Sequence, residues 1–144
     1  ISIIGRDEMN GAVQRKAIKL ALGTNIEFTG FCPDVSASLS DSRVFVLPSL
    51  WNEGCPTSIL EAMAHGLPVV AFAIDGVPEM IDDQIDGVLI SAGDYSAMAQ
   101  AIIRLLDDPD LANRLGQAGQ AKVASMFSIT HCAEAHSMAF RTLL

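Results

Sequence analysis

Glu53 and Glu61 stand eight residues apart, and between them lie Gly54, Cys55, Pro56, Thr57 and Ser58. A glycine, a proline and two hydroxyl residues are the ingredients of a loop that turns into a helix. An apolar, strand-like run at residues 44–47 precedes them. In α/β proteins, strand, polar loop and helix N-terminus in that order form the usual seat for a phosphorylated ligand, because free N–H groups and the helix dipole face the anion. Carboxylates add acceptors suited to hydroxyl groups. The pattern therefore points to a phosphate that carries sugars.

Each carboxylate also has a plainer reading. Ser58-x-x-Glu61 has the letters of a capping box, in which Glu61 would serve only the backbone N–H of Ser58. Glu53, in a loop, can be a solvated surface carboxylate. The local sequence leaves these alternatives open. Pro56 fits an early helical position, where its missing N–H costs nothing.

The elements that must position these residues show in the hydrophobic periodicity. Apolar runs at residues 1–4, 26–29, 44–47, 68–71 and 88–90 read as strands, and helical patterns fill most of the gaps. Val13, Ala17, Leu20 and Ala21 share one helix face, and Tyr95, Met98, Ala99, Ile102 and Leu106 another, with Asp94 as N-cap. Asp108-Pro109 opens the next helix with proline at its first position, and Leu111, Leu115 and Ala118 face inward. Ser128 is placed to cap a last helix running to the C-terminus. Gly30, Gly54, Gly76 and Gly87 fall at loops or strand edges. Apolar strands alternating with helices predict an α/β fold, a Rossmann-like doubly wound parallel sheet covered on both faces.

The 144 residues amount to one domain and suffice for a real core, half of them being hydrophobic. A net charge of −8, with nine basic residues scattered along the chain, argues against a nucleic-acid groove and against contact with an anionic membrane. No apolar run approaches the roughly 18 to 20 residues that span a bilayer, and no signal-peptide pattern is present. Cys32, Cys55 and Cys132 are odd in number, widely separated and without a CxxC, which suggests a reducing, cytoplasmic setting. A chain that begins at Ile1, already in a strand-like run, reads as part of something longer.

The segment from Glu53 onward, Glu-Gly-x-Pro-x-x-x-Leu-Glu-Ala-Met-Ala-x-Gly-x-Pro-Val-Val-Ala, resembles the Glu-x7-Glu region of retaining glycosyltransferases of the family 4 type (glycosyl transferases group 1), which have the two-domain GT-B fold. Residues 26–33 resemble that family's strand and base-contacting loop, and residues 75–79 its Gly-Gly-x-Pro-Glu turn. Residues 86–90, Gly93-Asp94 and residues 105–109 resemble the strand, loop and helix junction that follow. The resemblance covers essentially the whole chain, 1–144, as a C-terminal, donor-binding domain.

What it implies is a nucleotide-diphosphate sugar as donor, with a UDP, GDP or ADP carrier. Glu61 would take the ribose hydroxyls and Glu53, as the catalytic-site contact, the hydroxyls of the transferred sugar. The backbone of Gly54, Cys55, Pro56, Thr57 and Ser58 would hold sugar and diphosphate, and Phe31 and Cys32 would lie against the base. The family's Arg and Lys, which offset the diphosphate charge, belong to a first strand and helix that would precede Ile1. So does the N-terminal domain, which binds the sugar, lipid or small-molecule acceptor. The fragment is therefore expected to be inactive alone, and any membrane association would come through that other domain. Cys55 stands where the family often has Phe. Two other readings use the same architecture: a sugar-nucleotide 2-epimerase, and a non-catalytic module pairing with a separate acceptor-binding chain.

Other candidates have bland explanations. Asp108-Pro109-Asp110 spells a DxD metal motif but sits at a helix start, where capping accounts for it. The resembled class does not generally use such a metal, and no metal or cofactor is expected. His131 and His136 are off the i, i+4 spacing of a zinc site. His65, before Gly66 at a helix end, is suited to meeting free carbonyls. Cys55 suits packing better than a reactive thiol.

Overall fold

A computed structural model describes residues 1–7 and 9–142. The chain divides into two compact units, Ile1–Ala37 and Ser38–Leu144. In the first, β1 (Ser2–Ile4) pairs in parallel with β2 (Glu27–Gly30), and α1 (Ala12–Lys19) connects them. Only Ala17 of α1 is buried. The helix stops earlier than its apolar spacing predicts: Leu20 is its C-cap and Ala21 takes a left-handed φ of 55°.

In the second unit β3 (Phe45–Leu47), β4 (Val69–Phe72) and β5 (Val88–Ile90) form a parallel sheet with β4 in the centre. The expected strands are thus present within a residue or so, and all pair in parallel. The parallel pairings are β1–β2 in the first unit and β3–β4–β5 in the second. Periodicity identifies a strand but not the strand it pairs with. All four residues of β4 are completely buried, which is why the segment reads as an unbroken apolar run.

Val70 and Phe72 pack with Met98 and Leu105 of α5 (Tyr95–Asp107) and Leu111 and Leu115 of α6 (Pro109–Met126). The Phe72 and Tyr95 rings pack edge to face with their centroids 5.5 Å apart. By alternation Val69 and Ala71 face the other way. There α3 (Thr57–Ala64), which contacts β3, β4 and α6, buries Ile59, Ala62 and Met63. The approach of α6 to α3 is backbone on backbone: a methyl at Gly116 would overlap the Gly66 carbonyl. Gln120 of α6 also donates to the Ala64 carbonyl at 2.8 Å. Short helices α2 (Ser36–Ser40) and α4 (Val77–Met80), and a C-terminal α7 (Ile129–Thr142), complete the chain; α4 had not been expected as a helix.

Helix starts follow their capping residues. Asp94 accepts from the Ala97 N–H and Asp108 from the Leu111 N–H, both at 2.9 Å, with Pro109 at the first position of α6. Ser128 accepts from the His131 N–H at 3.2 Å. The capping-box reading of Ser58 and Glu61 fails. The N-cap of α3 is Pro56, at φ −66° and ψ 106°, no side chain caps it, and Ser58 is already the second helical residue. Pro56 accordingly stands one place before the helix, not in its first turn. Its extended ψ and imposed φ set the chain's entry angle without a hydroxyl or carboxylate.

A charged cluster ties α6 to the loop before β5. Lys122 Nζ meets Asp86 at 2.8 Å and Asp82 at 2.9 Å, and Asp86 is only 3% exposed. Burial by itself lowers the Lys122 pKa. Hydrogen bonds and charge from Asp86 and Asp82 more than offset this and leave it above its ordinary 10.5. A raised pKa stabilises the fold fully below pH 10.5, and that contribution disappears as pH climbs through the raised value.

Two expectations follow, both measurable by urea and thermal unfolding. Lys122→Met leaves the buried Asp86 carboxylate without its cation and should cost about 3 kcal/mol; the alkaline loss of stability tied to Lys122 should vanish with it. Asp94→Ala and Asp108→Ala should each cost about 1 kcal/mol, whereas Ser58→Ala should stay within about 0.5 kcal/mol.

Candidate donor site

The β3–α3 junction brings together Glu53, Gly54, Cys55, Pro56, Thr57, Ser58 and Glu61 in the second unit. Helix α3 is short, and both ends are defined. At its C-terminus Gly66, at φ 72°, lets its N–H reach the Met63 carbonyl (2.8 Å) and the Leu67 N–H reach that of Ala62 (3.1 Å). These are the paired bonds that close a helix on a left-handed glycine. His65 does what its position suggested, its Nδ1 lying 2.8 Å from the Glu61 carbonyl oxygen.

At the N-terminus the Ile59 N–H turns back to the Pro56 carbonyl at 3.0 Å. The N–H groups of Thr57 and Ser58 have no acceptor among the described residues. They are the orphan donors of a helix start, directed along the positive end of its dipole. Thr57 and Glu61 are one turn apart on the exposed face of α3, opposite buried Ile59 and Met63. The Glu61 carboxylate makes no hydrogen bond or ion pair with any described residue. The same holds for Glu53, which is half-buried, while Cys55 is exposed and Pro56 buried.

The loop carrying Glu53 leans on the turn after β4. The Glu53 N–H donates to Asp75 Oδ2 at 3.1 Å, and the Gly76 N–H donates to the Glu53 carbonyl at 3.0 Å. Gly76 has no room for a side chain, since a methyl there would overlap the Gly54 carbonyl oxygen. Asn52 and Asp75 both hold left-handed backbone, at φ 69° and 45°. Residues 75 and 76 stand at a turn, and nothing local in the sequence marks them as a brace for the Glu53 loop. A contact spanning 22 residues leaves no periodic trace, and only the Asp-Gly pair hints at an unusual backbone.

Phe31 and Cys32 lie in the first unit, just past β2. Phe31 is exposed, with the Arg6 guanidinium 4.8 Å from its ring centre, and Cys32 Sγ donates to the Asp34 carbonyl at 2.9 Å. Asp108 caps α6, so its part in a DxD motif is structural. His136 Nδ1 lies 2.8 Å from the Cys132 carbonyl oxygen, within α7. No group of three or more His, Cys, Asp or Glu side chains among the described residues is arranged to hold a metal ion. No helix among them is long and apolar enough to cross a membrane.

Comparison with known proteins gives this geometry its setting. The family of glycosyl transferases group 1 matches residues 1–108. The UDP-Gal:alpha-D-GlcNAc-diphosphoundecaprenol alpha-1,3-galactosyltransferase of Escherichia coli is 34% identical over 128 residues, which is 88% of this chain and 33% of that protein. The chain spans about a third of the length of the curated relatives it matches. Among solved structures, sucrose-phosphate synthase from Thermosynechococcus elongatus superposes with a TM-score of 0.87 at 28% identity, covering 99% of this chain and 38% of that one. The C-terminal domain of a glycosyl transferase group 1 family protein from Francisella tularensis gives 0.72 at 25%, covering 85% and 64%. The α/β architecture is that of a GT-B domain. Sequence match and shared fold run together along most of its length, and the chain belongs to the group 1 glycosyl transferases.

Proposed function

We propose that this chain is the C-terminal, donor-binding domain of a retaining hexosyltransferase of the family 4 type. It takes a nucleotide-diphosphate sugar whose hexose passes to an acceptor hydroxyl held by another domain. The observation that carries this reading is the start of α3. Two backbone donors there, Thr57 and Ser58 N–H, have no acceptor among the described residues, and unpartnered carboxylates stand before and after them at Glu53 and Glu61. Backbone N–H groups at a helix start suit a diphosphate, and carboxylates suit vicinal diols.

In this reading Glu61 holds the ribose and Glu53 the transferred hexose. Gly54, Cys55, Pro56, Thr57 and Ser58 line the sugar and diphosphate. The diphosphate leaving group is stabilised by the helix dipole together with cations from outside this chain, and no metal or other cofactor takes part. The 34%-identical Escherichia coli relative, named for a UDP-galactose donor, supports a nucleotide-sugar over other phosphorylated ligands. The enzyme works in the cytoplasm, and the chain by itself binds donor weakly and transfers nothing.

Titration calorimetry with UDP-, GDP- and ADP-glucose, each with and without EDTA, tests the reading. One of the three should bind, equally in both buffers. Glu61→Ala should weaken that binding by at least about tenfold while leaving the unfolding midpoint in place. Binding unaffected by Glu61→Ala, or sugar transfer by the chain alone, would contradict it.

A further inference from the structure

We infer that Asp75 is a positioning residue for recognition of the transferred sugar, acting through the backbone of Glu53; the inference rests on the donor-sugar reading of Glu53. Both main-chain polar groups of Glu53 are committed to the turn after β4. Its N–H goes to Asp75 Oδ2 (3.1 Å), and its carbonyl accepts from Gly76 (3.0 Å). Its own carboxylate is committed to no described residue. A peptide held on both sides with its side chain left free is how a loop presents one group to a ligand.

The turn that holds it is itself anchored. The Val77 N–H closes it onto the Ile74 carbonyl at 2.9 Å, and Val77 and Met80 of α4 are buried behind it. Asp75 keeps a left-handed backbone without being glycine. Such a conformation carries strain and persists only where surrounding contacts over-determine it. Its carboxylate is what this turn spends on the Glu53 loop, since Gly76 contributes only main chain. Removing that carboxylate should loosen the Glu53 peptide without touching the Thr57 and Ser58 donors. The sugar should then lose affinity and the nucleotide should not.

The test compares Asp75→Gly, which accepts the left-handed backbone but lacks the acceptor, with Asp75→Asn, which keeps both. The ligands are whichever of UDP-, GDP- or ADP-glucose binds the wild-type chain, and its nucleoside diphosphate. Asp75→Gly should weaken the sugar-nucleotide by about five- to tenfold and leave the nucleoside diphosphate unchanged; Asp75→Asn should restore wild-type affinity for both. Hydrogen exchange at the Glu53 amide should quicken at least about fivefold in Asp75→Gly and recover in Asp75→Asn. Equal losses for both ligands, or none for either, would overturn the positioning role. If no nucleotide-sugar binds the wild-type chain, the donor reading fails. Exchange at the Glu53 amide then still decides whether Asp75 holds the loop, and unchanged exchange in Asp75→Gly overturns that too.

Discussion

Strands β3 and β4 end side by side, and the backbone leaving one is braced on the backbone leaving the other. Peptide groups in a half-buried loop must find partners or cost free energy comparable to a lost hydrogen bond. Glu53 finds them in Asp75 and Gly76, at the end of the completely buried strand β4. Gly76 must lack a side chain for the approach to occur. That contact decides where the loop goes, and Pro56 then sets the angle at which the chain enters α3. The presentation of the unpartnered Glu53 carboxylate follows from it, whereas the free donors at the helix start belong to α3 itself.

The helix is fixed from its other end as well. Gly66 closes it, Gly116 lets α6 come within backbone contact, and Gln120 takes one of its last carbonyls. Burial of Ile59, Ala62 and Met63 leaves Thr57 and Glu61 on the outer face. An exposed polar face on a helix immobilised this way is a preorganised surface, since little further ordering is needed when a ligand arrives. With a net charge of −8 the overall field repels anions, so in the proposed donor site the diphosphate is left to such local donors.

Much of the fold was legible in the residues. Asp94, Asp108 and Ser128 each precede a run of helical period and each caps the helix it announces. The apolar run of β4 showed a strand covered on both faces. Other features were not legible because they depend on distant partners. The letters of a capping box at Ser58 and Glu61 are correct, yet backbone geometry puts the cap at Pro56. Of the site, the candidate residues around α3 could be read from their spacing and family resemblance. The Asp75–Gly76 brace could not, because it joins segments 22 residues apart.

The central claim is that the start of α3 holds the diphosphate of a nucleotide-sugar. The most direct measurement is the amide chemical-shift response of the isotope-labelled chain to the glucose nucleotide that binds it. Saturable shifts should be largest at Thr57 and Ser58, whose N–H groups gain an acceptor. A bound nucleotide-sugar that leaves those two amides unmoved would contradict the claim.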